Sequence, residues 1–127
     1  ILAAGKSERM GRTKALLPFC GSSFLAHLYG VLKKSRLDAV RVVLGAQAER
    51  ILAEVSLPPE ETVLNPDYEK GMLSSLQAAL KALAETAPEA VIVFPVDHPN
   101  ISFDLIGRII SQFRATGAMS GQIQGSE

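Results

Sequence analysis

The 127-residue sequence has a single cysteine, no tryptophan and no excess of either charge. One thiol, Cys20, cannot close an internal disulfide, and no cysteine or histidine spacing resembles a zinc site, so a reducing cytoplasm is expected. The 13 basic and 13 acidic residues cancel, which predicts neither a nucleic-acid partner nor attraction to an anionic membrane. Apolar runs fall well short of the roughly 20 residues that a membrane span needs. Any anion must therefore be bound locally.

The hydrophobic content of 47% is sufficient for the core of one compact domain. The opening residues, from Ile1, read as the last part of a buried strand, whereas residues 116–127 are polar and rich in glycine and serine. We therefore predict a domain over residues 1–115, incomplete at both ends, and a loop or tail over residues 116–127.

Short apolar runs rich in β-branched residues alternate with longer segments of helical period. Four runs predict strands, at residues 1–3, 39–44, 62–64 and 90–94. Helices are predicted around residues 24–32, 46–55 and 73–83, and from Ser102 onward. The third helix has an apolar stripe of Leu73, Leu76, Leu80 and Leu83. This alternation predicts a Rossmann-like three-layer α/β/α sandwich with a mostly parallel sheet, in which ligands bind at the carboxyl ends of the strands.

A glycine-rich segment, residues 2–14, directly follows the first predicted strand. Gly5 and Gly11 tolerate backbone conformations with positive φ, and Ala3 and Ala4 are small enough to let a ligand approach the chain. Backbone N–H groups can then face an anion at the end of the strand. The segment has the features of a phosphate-binding loop.

Two cationic side chains strengthen this interpretation. Arg9 can fork across phosphate oxygens, and Lys14 can act as a mobile point charge. A Walker A loop is disfavoured because an apolar strand precedes Gly5, and a dinucleotide site is disfavoured because Gly5 and Gly11 stand too far apart. The two interpretations left are a triphosphate site and an ordinary basic turn with both side chains solvated.

A carboxylate, Asp97, follows the strand predicted at residues 90–94. In a parallel sheet this position lies beside the first loop, and Mg²⁺ needs only one or two protein carboxylates in addition to water and substrate phosphates. Asp97 is therefore a candidate Mg²⁺ ligand, with capping of a turn or of the next helix as the alternative. His98 is better explained as a turn residue than as a general base.

A third polar segment, residues 65–76, leads from the end of a strand through a loop into a helix. It begins at Asn65, and Gly71 would loosen its backbone. Ser74 and Ser75 can act either as helix N-terminal capping groups or as readers of a nucleobase edge. The residues alone leave both roles open.

Together these motifs resemble the molybdenum-cofactor nucleotidyltransferases over roughly residues 1–113. The pattern Leu-Ala-Ala-Gly-x-Ser-x-Arg-Met-Gly-x-x-Lys, residues 2–14, continues with Leu-Leu-Pro and then Gly21 and is similar to that family's signature. Pro-x-Asp-x-Pro around Asp97 resembles its metal motif, and Gly-Met-x-x-Ser from Gly71 resembles the segment that lies against base and ribose. Sugar-phosphate relatives usually place proline where Thr13 stands, which favours the molybdenum-cofactor branch.

The resemblance implies transfer of a nucleotidyl group from a nucleoside triphosphate to a phosphorylated pterin acceptor, with Mg²⁺ as cofactor and pyrophosphate as product. Catalytic roles fall to Arg9, Lys14 and Asp97, and Asp97 binds the metal. The implied nucleotide-binding set is Leu2, Ala3, Ala4, Gly5, Ser7, Arg9, Gly11, Lys14, Asn65, Gly71, Ser74 and Ser75.

CTP is expected as the donor in preference to GTP. In this family Leu-Ala-Ala-Gly accompanies cytidine and Leu-Ala-Gly-Gly accompanies guanosine, and the methyl group of Ala4 would narrow the space for a purine. Two alternatives remain open: a nucleotidyltransferase of the same fold that acts on a sugar or alcohol phosphate, and a non-catalytic nucleotide-binding regulatory domain.

Overall fold

In a computed structural model, which describes residues 1–6, 8–9, 12–97 and 99–116, five short strands precede the first α-helix. The strands are β1 (Leu2–Ala3), β2 (Glu8–Arg9), β3 (Arg12–Thr13), β4 (Pro18–Phe19), β5 (Ser22–Ser23), β6 (Val42–Leu44) and β7 (Thr62–Leu64). The helices are α1 (Phe24–Lys33), α2 (Ala48–Glu54), α3 (Met72–Leu83) and α4 (Phe103–Thr116).

The central sheet is parallel, as predicted. Its order is β1-β6-β7, and β1 also forms a parallel bridge with Pro95 on its other side. Around that bridge Leu2 N donates to Phe94 O at 2.9 Å, and Val96 N donates to Leu2 O at 3.2 Å. β1 therefore lies between β6 and the segment around Pro95, which is the arrangement of a Rossmann-like sheet.

Two of the strand predictions need correction. The strand predicted at residues 39–44 begins at Val42. The strand predicted at residues 90–94 is wrong, because this stretch has no ladder and the single bridge is at Pro95. The described hydrogen bonds between this stretch and β1 involve Phe94 and Val96, so the pairing starts at the last residue of the predicted strand.

Helices cover both faces of the sheet, which confirms the three-layer sandwich. Val42 and Leu44 point to one face, where they join a buried cluster with Leu25 and Leu28 of α1 and Ile106 of α4. The residue between them points to the opposite face, as the pleat of a strand requires. There Val43 packs with Leu2, Ala4 and Ala79 of α3.

The predicted apolar stripe of α3 does not face the sheet. Leu73 is 65% exposed and Leu80 is 45% exposed, whereas Ser75 and Ala79 are buried. Because Ser75 and Ala79 are four residues apart, they lie on the same face of the helix. These small side chains allow the helix to approach the sheet closely, which leucines at the same positions would prevent.

The other helix predictions are confirmed within a few residues. Ser102 caps α4, since its Oγ accepts a hydrogen bond from Leu105 N at 3.2 Å. The last helix extends to Thr116, the first residue of the predicted tail. Residues 117–127 lie outside the described part, so the tail remains a prediction. In the described ranges no helix has the length and apolar character to cross a bilayer.

A buried carboxylate ties α1 to the start of β7. Glu61 accepts hydrogen bonds from the Tyr29 hydroxyl and, at 2.7 Å, from Lys33 Nζ. Burial alone would raise the pKa of Glu61, but the hydrogen bonds from Lys33 and Tyr29 outweigh burial and hold its pKa below the ordinary value. Burial, and then the hydrogen bond to Glu61, raise the pKa of Tyr29 to about 12.

We predict that Glu61→Gln lowers the free energy of unfolding by about 1–3 kcal/mol at neutral pH, because hydrogen bonds to a charged group are lost. The folded pKa is depressed, so this contribution is complete above the ordinary carboxyl pKa of 4.5 and is lost as pH falls through the folded value. Urea unfolding between neutral and acidic pH measures it. The exposed neighbour serves as control: Glu60→Gln should change little. Equal losses in both variants would contradict a specific role for Glu61.

Candidate functional site

The carboxyl edge of the sheet gathers the polar segments that the sequence singled out. At this edge β1 runs into Ala4 and Gly5, β6 into Gly45, and β7 into Asn65. Pro95 bridges to Leu2, so Asp97 follows at the same edge. The topology therefore places Asp97 at the edge that carries the first loop, as predicted, and the segment from Asn65 starts at the same edge.

The start of the glycine-rich loop is buried and only its continuation is exposed. Leu2, Ala3 and Ala4 are each at most 8% exposed, whereas Gly5 is exposed. The Ala4 side chain belongs to the cluster beneath α3, so its methyl group is not directed into open space at the edge. Little of the chain is exposed at these positions, and the steric reason for excluding a purine loses its support.

The remainder of the loop forms a short antiparallel ladder. Arg9 pairs with Arg12 across β2 and β3, but the side chain of Arg9 lies outside the described part. Ser7 and Gly11 also lie outside the described residues, as does His98. Lys14 is half-buried and opens a short 3₁₀ turn, residues 14–16, directly after the buried Thr13.

The loops that follow β1, β6 and β7 contact one another at Gly45. A Cβ built on this glycine would lie 2.8 Å from Ala4 O, 2.8 Å from Tyr68 Cβ and 3.0 Å from Ala4 Cβ. Ala46 N also donates a hydrogen bond to Ala4 O at 3.1 Å. Only glycine fits at the point where the loops after β1, β6 and β7 touch. The sequence analysis missed it, although a glycine directly after an apolar strand is a visible signal.

The segment after β7 is organised around Asn65, which is buried. Its Nδ2 donates to Ser74 Oγ and to Ser75 Oγ, both at 3.0 Å, and its Oδ1 accepts from Asp67 N at 3.0 Å. Ser74 Oγ further lies 2.7 Å from Gly71 O and 2.9 Å from Asp67 O, so its one hydrogen has two possible acceptors. The structure brings these predicted residues together by bonding them to one another.

Gly71 takes a backbone conformation that favours glycine, with φ +103° and ψ −177°, immediately before α3. A Cβ at this position would meet no atom within 4 Å, so the requirement comes from the backbone and not from crowding. The predicted loosening of the chain at Gly71 is therefore a sharp change of direction that starts the helix.

An ion pair connects the glycine-rich loop to the segment after β7. Lys6 Nζ lies 2.8 Å from Glu69 Oε1 and 5.7 Å from the centroid of the Tyr68 ring. The hydrogen bond and charge of Glu69 raise the pKa of Lys6, and the same contact lowers the pKa of Glu69. Sequence reasoning missed the pair because 63 residues separate its members.

Asp97 is exposed and lies in a turn after the bridge to β1. Within the described ranges, no group of three or more histidine, cysteine, aspartate or glutamate side chains is arranged to hold a metal. A single exposed carboxylate at the edge that carries the glycine-rich loop fits Mg²⁺, because that ion retains water and binds substrate phosphates. It does not fit a metal that requires a closed set of protein ligands.

We predict that Gly45→Ala lowers the free energy of unfolding by about 1–3 kcal/mol, the usual cost of overpacking, because the added methyl group would collide with the backbone of Ala4. Gly30→Ala is the matched control. Gly30 lies in α1 with open space around its Cβ position, so this change should stabilise the protein by up to about 1 kcal/mol. Urea unfolding of both variants gives the two signs. A harmless Gly45→Ala would show that the loops do not meet here.

The chain spans about half the length of two curated relatives that it matches. It is 36% identical over 115 residues to the nicotine blue oxidoreductase of Paenarthrobacter nicotinovorans, covering 90% of this chain and 55% of that protein. It is 32% identical over 116 residues to a probable molybdenum cofactor guanylyltransferase of Rhodopirellula baltica, covering 90% of this chain and 54% of that protein.

Solved structures share the fold. A homologue of Mycobacterium tuberculosis Rv0371c from Mycobacterium sp. strain JC1 superposes with a TM-score of 0.77 at 32% identity, over 90% of this chain and 57% of that one. The manganese complex of M. tuberculosis Rv0371c superposes with a TM-score of 0.70 at 26% identity, over 91% and 58%. The family model of the MobA-like NTP transferase domain matches residues 1–123, and the chain therefore belongs to the MobA-like NTP transferase family.

Proposed function

We propose that this chain forms the donor-binding part of a nucleotidyltransferase that moves a nucleoside monophosphate from a nucleoside triphosphate to a phosphorylated acceptor. The observation that carries the proposal is the exposed turn at Gly5, which leaves the buried end of β1 beside the segment that holds Asp97. A phosphate chain placed there would meet backbone N–H groups on one side and a carboxylate suited to its counter-ion on the other.

The proposed reaction needs no nucleophile from the protein. An acceptor phosphate oxygen attacks the α-phosphorus and forms a new P–O bond. The bond between the α-phosphorus and the bridging oxygen breaks, and pyrophosphate leaves with the electron pair. The protein's task is to hold donor and acceptor in line and to balance the charge of the transferring group. We assign this charge balance to Arg9 and Lys14.

The site suits a divalent cation as partner of the triphosphate. Asp97 would hold Mg²⁺ here, and the ion would supply positive charge that stabilises the leaving pyrophosphate. The relative solved as a manganese complex supports the use of a divalent ion by this chain. Asn65, Ser74 and Ser75 would then shape the segment next to the nucleoside. Ser75 is buried, and its proposed role is to fix that segment.

The acceptor we propose is a phosphorylated pterin of molybdenum-cofactor biosynthesis. The resemblance of residues 2–14 supports it, as do relatives whose names specify molybdenum cofactor guanylyltransferases. A second candidate is an oxidoreductase, favoured by the relative at 36% identity that bears that name. The two differ in product: the first releases pyrophosphate, and the second changes the absorbance of a redox substrate.

The donor base that we propose is cytosine. The proposal of CTP rests on the tetrapeptide Leu-Ala-Ala-Gly, whereas several relatives are named guanylyltransferases. Calorimetric titration of the protein with CTP and GTP in the presence of Mg²⁺ compares them directly. Tighter binding of GTP would overturn the CTP proposal and leave nucleotidyl transfer intact.

We predict that Lys14→Ala or Arg9→Ala lowers the rate of pyrophosphate release roughly a hundredfold, the scale of losing one donor to the transition-state charge. The assay contains Mg²⁺, nucleoside triphosphate and the phosphorylated pterin, with a sugar phosphate as the alternative acceptor. Lys34→Ala is the control, because Lys34 ends α1 and that helix returns to the amino edge of the sheet. Unchanged turnover together with a lower melting temperature would make Arg9 and Lys14 structural residues.

A further inference from the structure

The Lys6–Glu69 pair spans the two segments that would flank a bound nucleotide. Lys6 directly follows Gly5, at the exposed turn of the glycine-rich loop. Glu69 lies on the 3₁₀ turn Tyr68–Lys70, between Asn65 and the start of α3. The 2.8 Å contact therefore joins the proposed phosphate side of the cleft to the proposed nucleoside side.

Stability does not explain why the pair exists. The side chains of Lys6 and Glu69 are 63% and 68% exposed, and ion pairs this open to water add little to folding because solvent and salt screen them. The loops at this edge are already fixed by the packing at Gly45 and by the bonds of Asn65. A contact with so little structural effect can be broken at low cost.

Chemistry supplies a reason for breaking it. A lysine ammonium group sits on a flexible four-carbon stem and can exchange one anion for another. A nucleoside triphosphate brings several negative charges to the loop next to Lys6, against one on Glu69. Once released, the Glu69 carboxylate is fully hydrated, so exchange leaves no buried charge without a partner.

We propose that Lys6 is a triphosphate ligand that Glu69 holds in the nucleotide-free protein, so that the incoming phosphate chain must displace the carboxylate. The inference rests on the proposed function and adds to it a named ligand and a competitor. It makes the affinity depend on ligand charge, since an anion with few charges competes poorly with Glu69. Tyr68 serves as the fixed neighbour, because its Cβ packs at Gly45 while its ring lies near the Lys6 ammonium group.

The test is a double-mutant cycle read by calorimetry with Mg²⁺ and CTP, and again with GTP and with inorganic tripolyphosphate, at constant ionic strength. Lys6→Met removes the charge and retains the length of the side chain, and we expect affinity about tenfold lower, the loss of one charge-assisted contact. Glu69→Gln frees Lys6 and should bind triphosphate several-fold tighter. The double variant should match Lys6→Met alone, because Glu69 then has no lysine to hold.

Lys70→Met is the matched control, since Lys70 is exposed on the same turn and its Nζ lies 3.7 Å from Asp67 Oδ1. It should lower affinity less than Lys6→Met does. If Glu69→Gln and Lys6→Met weaken binding equally, the ion pair holds the two segments in place for binding, and the proposed displacement of Glu69 is wrong. An unchanged affinity in Glu69→Gln would also overturn it. If neither the wild type nor any variant binds a triphosphate, the proposed function itself fails, whereas normal wild-type binding with an inert Glu69 removes this inference alone.

Discussion

The site depends on a close approach of backbone that only glycine permits. Ala4, Gly45 and Tyr68 come from the loops after three neighbouring strands, and they touch where a methyl group at Gly45 would have no room. This contact sets the direction in which the chain leaves β1, and so it sets where the turn at Gly5 and the side chain of Lys6 emerge. Close packing of buried Ala4 and the hydrogen bond from Ala46 to it leave that direction little freedom.

Polar residues lie at both edges of the sheet, and their roles at the two edges differ. Glu61, at the amino edge, is buried and satisfied by Tyr29 and Lys33, so it holds α1 against β7. At the carboxyl edge, Lys6, Glu69 and Asp97 are exposed to solvent. The division agrees with the general rule that parallel α/β sheets bind ligands at the carboxyl ends of their strands.

Local signals in the sequence were enough for the helices, the parallel sheet and the Ser102 cap, because periodicity and capping act over a few residues. They did not predict which face of α3 packs against the sheet. Leu73 and Leu80 suggested one face, but the close approach to the sheet requires small side chains, and Ser75 faces inward to meet Asn65. The roles of Gly45 and of the Lys6–Glu69 pair depend on contacts between segments far apart in sequence, and residue spacing does not predict such contacts. The resemblance over residues 2–14 predicted the family, and the structure then showed which distant residues contact this loop.

The central claim is that a nucleoside triphosphate binds at the carboxyl edge, between the glycine-rich loop and the segment that starts at Asn65. Mapping of backbone amide shifts by NMR during titration with Mg²⁺ and a nucleoside triphosphate tests this most directly. The account predicts the largest shifts at Gly5, Lys6 and Lys14 and in residues 65–71, with Lys33 and Glu61 at the opposite edge unaffected. A separate groove is lined by Leu52, Leu57 and Leu64. Shifts confined to that groove, or spread evenly over both edges of the sheet, would contradict this claim.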